Sequence, residues 1–154
     1  PLIQKKFSRI MSLKDGLKKM SKSEISDLSR INLTDNKDEI INKIKKAKTD
    51  PLPMPSSPDE LEKRPEAKNL IGIYSSLTET SLEKNIQEFS GKNFSEFKEA
   101  LSQVLVDKIN PISIEIKKLI NEKSFLDKIL LEGCQKANKF ASEKLKKIHE
   151  IVGF

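Results

Sequence analysis

Phe94-Ser95-Glu96-Phe97-Lys98-Glu99-Ala100-Leu101-Ser102-Gln103-Val104-Leu105-Val106-Asp107-Lys108-Ile109 is the stretch that decides the fold. Phe94, Phe97, Leu101, Val104 and Leu105 recur at intervals of three and four, with charged and polar residues between them. That is the period of one face of an α-helix, whereas a half-buried strand alternates in twos. The helix predicted to about Ile109 then meets Asn110-Pro111, where it kinks or restarts, because proline lacks the amide donor and disfavours helical geometry in the residue before it. Ile112, Ile116, Leu119 and Ile120 carry the next pattern. Ser124 opens a stretch with Phe125, Ile129 and Leu130, and later Ala137, Phe140 and Ala141. A last helix with Leu145, Ile148, Ile151 and Val152 stops at Gly153.

The same period extends backward. Glu66 to Leu77 buries Leu70, Ile73, Tyr74 and Leu77, and Ser81 caps a short helix carrying Leu82, Ile86 and Phe89 that ends near Gly91. Five prolines between Thr49 and Pro65 predict an extended surface connection with no regular element. Before it, Thr34-Asp35 offers an N-cap for an amphipathic helix to about Lys48, with Ile40, Ile41, Ile44 and Ala47 inside. Asp38 and Glu39 open this helix and Lys43, Lys45, Lys46 and Lys48 close it, which complements the helix dipole and also offers a basic patch.

No internal repeat is visible, and residues 34–154 predict an antiparallel helical bundle. Residues 1–33 read differently. Arg9 to Leu13 predicts a short strand stopped at the Asp15-Gly16 turn, Leu17 to Ser29 a loop, and Arg30 to Leu33 another short extended piece. A lone strand cannot satisfy its own backbone groups, so this one predicts a sheet whose other strands lie outside the chain. Pro1, with no initiator Met, likewise predicts an upstream portion.

Composition narrows the function. Aromatics are 5%, glycines number 5 and Trp is absent, which argues against an all-β fold. With 29 basic and 23 acidic residues the formal charge is +6, favouring polyanions such as nucleic acid. Only Arg9, Arg30 and Arg64 are arginines, so the basic surface suits phosphates better than base edges; solvated helix faces are the plainer alternative. Cys134 and His149 are each the sole residue of their type, which excludes a disulfide framework and a zinc site and points to a reducing compartment. No apolar run reaches transmembrane length.

The residues that carry chemistry are Lys19-Met20-Ser21-Lys22-Ser23. An ordinary Lys/Ser surface loop is the bland reading. Two ammonium groups three residues apart can instead approach the phosphates of a nucleotide, with Ser21 and Ser23 adding compact hydroxyl donors. In a reaction that expels pyrophosphate, negative charge grows on the leaving group, and mobile cations that tighten there raise the rate. The pentapeptide is identical to the KMSKS signature loop of class I aminoacyl-tRNA synthetases. The run Arg9-Ile10-Met11-Ser12-Leu13-Lys14-Asp15-Gly16 leading into Lys18 and that loop resembles bacterial tryptophanyl-tRNA synthetases. So do Ser29-Arg30-Ile31-Asn32-Leu33, Lys46-Ala47-Lys48-Thr49-Asp50, Arg64-Pro65-Glu66-Ala67 with Asn69-Leu70, and the closing Gly153-Phe154.

The resemblance spans almost the whole chain and implies the C-terminal half of such an enzyme. The fold expected is mainly α: residues 1–33 end a Rossmann-type (α/β) catalytic domain, and 34–154 form the helical, anticodon-binding domain, whose last helix can return to the catalytic part. The implied activity is that of a tryptophan–tRNA ligase, which activates L-tryptophan with ATP and transfers it to tRNA(Trp). Lys19 and Lys22 are then the catalytic cations. Lys19, Met20, Ser21, Lys22 and Ser23 contact ATP phosphates, and Ile10 gives a backbone contact to the adenine end. Magnesium accompanies ATP, the enzyme is a cytoplasmic homodimer without membrane contact, and this chain contributes no metal ligand. Leu17, where a small polar residue is common, and Glu24, where Asp is common, depart from the pattern. The second class I signature, of His-Ile-Gly-His type, and the tryptophan pocket are absent, so the chain by itself is expected to be inactive. A tyrosyl-tRNA synthetase fragment and a stand-alone basic helical RNA-binding module are the alternatives. A membrane-surface amphipathic protein fits worst.

Overall fold

Asn36 opens the first α-helix of the computed structural model, which describes residues 9–153. Its side chain accepts from Glu39 N while the Glu39 carboxylate accepts from Asn36 N, so two otherwise unpaired amides are satisfied reciprocally. Helix α1 runs Lys37–Lys45. The expected cap at Thr34-Asp35 is thus displaced by one residue, because Asp35 is engaged elsewhere: it accepts from Asn32 N and from the buried Lys43 ammonium. Ile40, Ile44 and Ala47 are buried as expected, but Ile41 is on the exposed side.

The proline-rich segment is not wholly irregular. Pro58 and Pro65 stand at the starts of α2 (Pro58–Glu62) and α3 (Pro65–Thr78), where the missing amide costs no intrahelical bond. Ser57 caps α2 through Glu60 N. The remaining turns of this segment gather on Arg64, which donates to both carboxylate oxygens of Asp50 at 2.6 and 2.9 Å and to Pro53 O at 2.7 Å. α4 follows at Leu82–Phe89, capped by Ser81, and α5 at Phe94–Asn121. α5 continues through Pro111 instead of stopping there.

The core lies between α1, α3, α4 and the first half of α5, with Leu13, Met54 and Leu61 reaching into it from the preceding segments. Phe97 is fully buried and meets Phe89 edge-on at 4.9 Å between ring centres, with Tyr74 against both. Such contacts add to the area each ring buries. Ser102 and Val106 are buried on α5 and Val104 only half-buried, so the helix is turned slightly from the expected face.

Two compact units divide at Ile114/Glu115. The second consists of the end of α5 and of α6, Lys123–Val152, a single 30-residue helix where two pieces were expected. Gly153, with φ +82°, closes it by donating to His149 O. α6 buries no residue, and Phe140 and Ile151 are among its exposed apolar side chains.

The strand expected at Arg9–Leu13 shrinks to one antiparallel bridge, between Met11 and Lys19, and no longer strand exists among the described residues. Met20 N donates to Ile10 O and Ser12 N to Lys18 O, closing a narrow hairpin around Asp15-Gly16. Ile10 O and Ser12 N are met within this hairpin, and the groups of Met11 and Leu13 by segments later in the chain, with no sheet among the described residues.

Candidate functional site

The hairpin 10–20 is anchored at its turn. Asp15 Oδ1 accepts from Leu17 N, a local bond that favours the turn. Gly16 is buried with its backbone directly against the start of α3. Leu13 is held on both sides, donating to Ser29 O and accepting from Lys48 N. Lys48 also pairs with Glu66 at 2.9 Å, and the carboxylate raises its pKa. Beyond the hairpin the chain is open: Ser21, Lys22 and Ser23 are exposed, and the two serines are tied by a 2.9 Å bond between their hydroxyls.

An open depression of about 720 Å³ lies beside this loop. Ile10, Lys19, Met20, Ser21 and Lys22 line it together with Arg9 and the segment Arg30–Thr34. The structure therefore brings five of the six expected site residues to one surface. Ser23 is the exception, adjoining through Ser21 only. Lys19 and Lys22 are exposed, and among the described residues no carboxylate pairs with either. Among the described residues no carboxylate lines the depression. Four cationic side chains, hydroxyls and the apolar Ile10, Ile31 and Leu33 suit a ligand with an anionic part and an apolar part.

The far wall is held from beneath. Arg30 donates to Glu24 O and Asn32 Oδ1 and pairs with Asp27 at 2.8 Å. Asp27 in turn meets Lys43, whose ammonium is buried between Asp27 at 2.5 Å and Asp35 at 2.7 Å. Burial alone would push the Lys43 pKa down, but the bonds to Asp27 and Asp35 outweigh it and the net shift is upward. Asp27 is shifted below its usual range, chiefly by the Lys43 bond. α1 thereby carries the residues that come after the signature loop. Arg9, Arg30, Asn32 and Thr34 were not among the expected site residues. Arg9 and Arg30, two of three arginines in a Lys-rich chain, were the available signal.

The chain belongs to the family described as tRNA synthetases class I (W and Y), whose model matches residues 2–110. Its relatives fall on the tryptophan side of that family. The tryptophan–tRNA ligase of Rhizobium meliloti (strain 1021) is 48% identical over 154 residues, covering 100% of this chain and 44% of the relative. That of Rickettsia felis is 50% identical over 153 residues, covering 99% and 46%. The crystal structure of tryptophanyl-tRNA synthetase from Mycoplasma pneumoniae superposes with a TM-score of 0.70 at 26% identity, over 98% of this chain and 45% of that one. The chain spans less than half the length of these relatives.

Proposed function

We propose that this chain is the part of a tryptophan–tRNA ligase that supplies the signature loop and the tRNA-binding helical domain. The observation that carries the reading is the convergence of Lys19 and Lys22 on a depression where, among the described residues, neither has a carboxylate partner and no acidic side chain lines the surface. ATP is the substrate proposed for it. In the activation step a carboxylate oxygen of tryptophan bonds to the α-phosphorus, the bond to the β-phosphate bridging oxygen breaks, and pyrophosphate leaves. Lys19 and Lys22 would stabilise charge growing on that leaving group, and Ser21 would donate to a phosphate oxygen. Ser23 would act through Ser21. Ile10 lines the depression with its carbonyl taken by Met20 N, so its amide N–H is the backbone group that would meet the adenine end.

The lining does not fit a protein-held cation, since it contains no carboxylate, and no group of three or more His, Cys, Asp or Glu side chains able to hold a metal occurs among the described residues. Magnesium is accordingly read as a companion of the triphosphate. Residues 1–33 are assigned to the end of the catalytic domain and 34–154 to the tRNA-binding domain. The partners proposed are tRNA(Trp), L-tryptophan, ATP and a second copy of the whole enzyme, in the cytoplasm. Among the described residues no helix is long and apolar enough to cross a membrane.

Amino-acid-dependent exchange of pyrophosphate into ATP tests this, using the enzyme that contains this chain together with the remainder found in its relatives. Exchange stimulated by tryptophan and not by tyrosine, and reduced on the order of 100-fold or more by Lys22→Ala, is expected. Absence of exchange with every amino acid from a folded enzyme would overturn the reading.

A further inference from the structure

Asn69, a buried amide on α3, has bonding that the packing of the helices does not call for. Its Oδ1 accepts from Met11 N at 2.9 Å and its Nδ2 donates to Met11 O at 2.8 Å. One side chain thus takes up both backbone groups of one residue, as an adjacent strand would. The hairpin explains why they are available. Met11 faces Lys19 across the bridge, and the hydrogen bonds lie on either side of that pair, from Met20 N to Ile10 O and from Ser12 N to Lys18 O. In such a pair the facing residue's own N–H and C=O point outward, away from its partner. Asn69 closes that outer edge.

We propose that Asn69 is a positioning residue for the signature loop: by holding Met11 it fixes the register that puts Ile10 and Lys19 at the depression. This rests on the reading of that depression as the ATP site. Two features make the role one of alignment and not of folding. Leu13, two residues on, is anchored separately through Ser29 and Lys48, so losing Asn69 leaves the hairpin attached but free to shift at residues 10 and 11. The bond pattern also demands asparagine specifically. Aspartate lacks the donor for Met11 O, and glutamine carries its amide one methylene too far.

The test compares Asn69→Ala and the near-isosteric Asn69→Asp with Asn85→Ala in the whole enzyme. Asn85 is an asparagine buried more fully than Asn69, bonded to Ser75 and Thr80 away from the loop, so its loss costs at least as much stability and controls for it. Amide hydrogen exchange at residues 10–20 is expected to quicken by about tenfold in both Asn69 variants, with α3 and α5 unchanged. The kcat of tryptophan-dependent pyrophosphate exchange should fall by roughly ten- to a hundredfold with the tryptophan KM unmoved. Asn85→Ala, although destabilised, should keep its kcat. Unaltered protection at residues 10–20, or the same kcat loss in Asn85→Ala, overturns the proposal. If the unmodified enzyme shows no exchange, the ATP reading fails, and the protection of residues 10–20 still decides whether Asn69 holds the loop.

Discussion

Gly16 lies against the peptide that joins Pro65 to Glu66: a Cβ at Gly16 would sit 2.6 Å from the Pro65 carbonyl carbon and 2.7 Å from Glu66 N. Both are backbone atoms at the start of α3, which cannot turn aside as a flexible side chain would. Glycine is needed here for close approach, and the approach locks the hairpin turn to the helical part. Gly16→Ala should therefore destabilise the protein by roughly 1–3 kcal/mol, seen as a lower urea midpoint with an unchanged slope. An unaltered midpoint would show that the turn backs away freely.

Acid should weaken the fold through particular carboxylates. Burial alone would raise the Asp50 pKa, but the Arg64 guanidinium and the Leu52 amide bring it below its usual value; Asp27 is lowered as well, mainly by Lys43. A carboxylate whose pKa is lower folded than unfolded stabilises fully above the unfolded value, near 3.8, and loses that contribution as pH falls through the folded one. Lys43, raised in the folded state, keeps its contribution until pH exceeds the ordinary lysine value of 10.5. Stability measured against pH should be level from about pH 6 to 9 and fall below about pH 4. Asp50→Asn should lower the plateau and flatten the acid limb; an acid limb as steep as before would exclude Asp50 as its source.

Lys43 is the node of the network beneath the depression. Replacing it by Met leaves the Asp35 carboxylate buried without its cation, a loss of about 3 kcal/mol or more. Adding Asp35→Asn should recover part of that loss, because the amide needs no counter-charge. Thermal denaturation of the single and double variants measures both, and equal stability of the two would show that Asp35 is not the stranded group.

Lys22 and Ser23 are sequence neighbours with different surroundings. Lys22 lines the depression, whereas the Ser23 hydroxyl is spent on Ser21. In the whole enzyme Lys22→Ala should reduce pyrophosphate exchange on the order of 100-fold, and Ser23→Ala by no more than about tenfold. Equal losses would place the Ser23 hydroxyl on the substrate.

Most helices were legible because their buried faces repeat locally, as Phe97, Leu101 and Leu105 do. Features set by distant partners were not. Thr34, Asp35 and Asn36 can all cap a helix, and only the bond from Lys43 to Asp35 settles that Asn36 does so. The prolines at 58 and 65 read as breakers although they start helices, since that distinction depends on the residues after each. The expected strand failed because one asparagine side chain 58 positions away takes the place of a neighbouring strand. Likewise Lys19 and Lys22 were readable from their motif, while Arg9 and Arg30 join them only through the fold. The apolar pattern of α6 marks the helix correctly but not its surroundings, for no residue of α6 is buried.

The sole cysteine, Cys134, is exposed on this same helix. A single solvent-facing thiol gives this chain one defined point for thiol-specific chemistry. A spin label or fluorophore attached there would ride on a rod about 45 Å long and leave the lysines of the loop untouched. Its mobility would report on the local order of α6 itself.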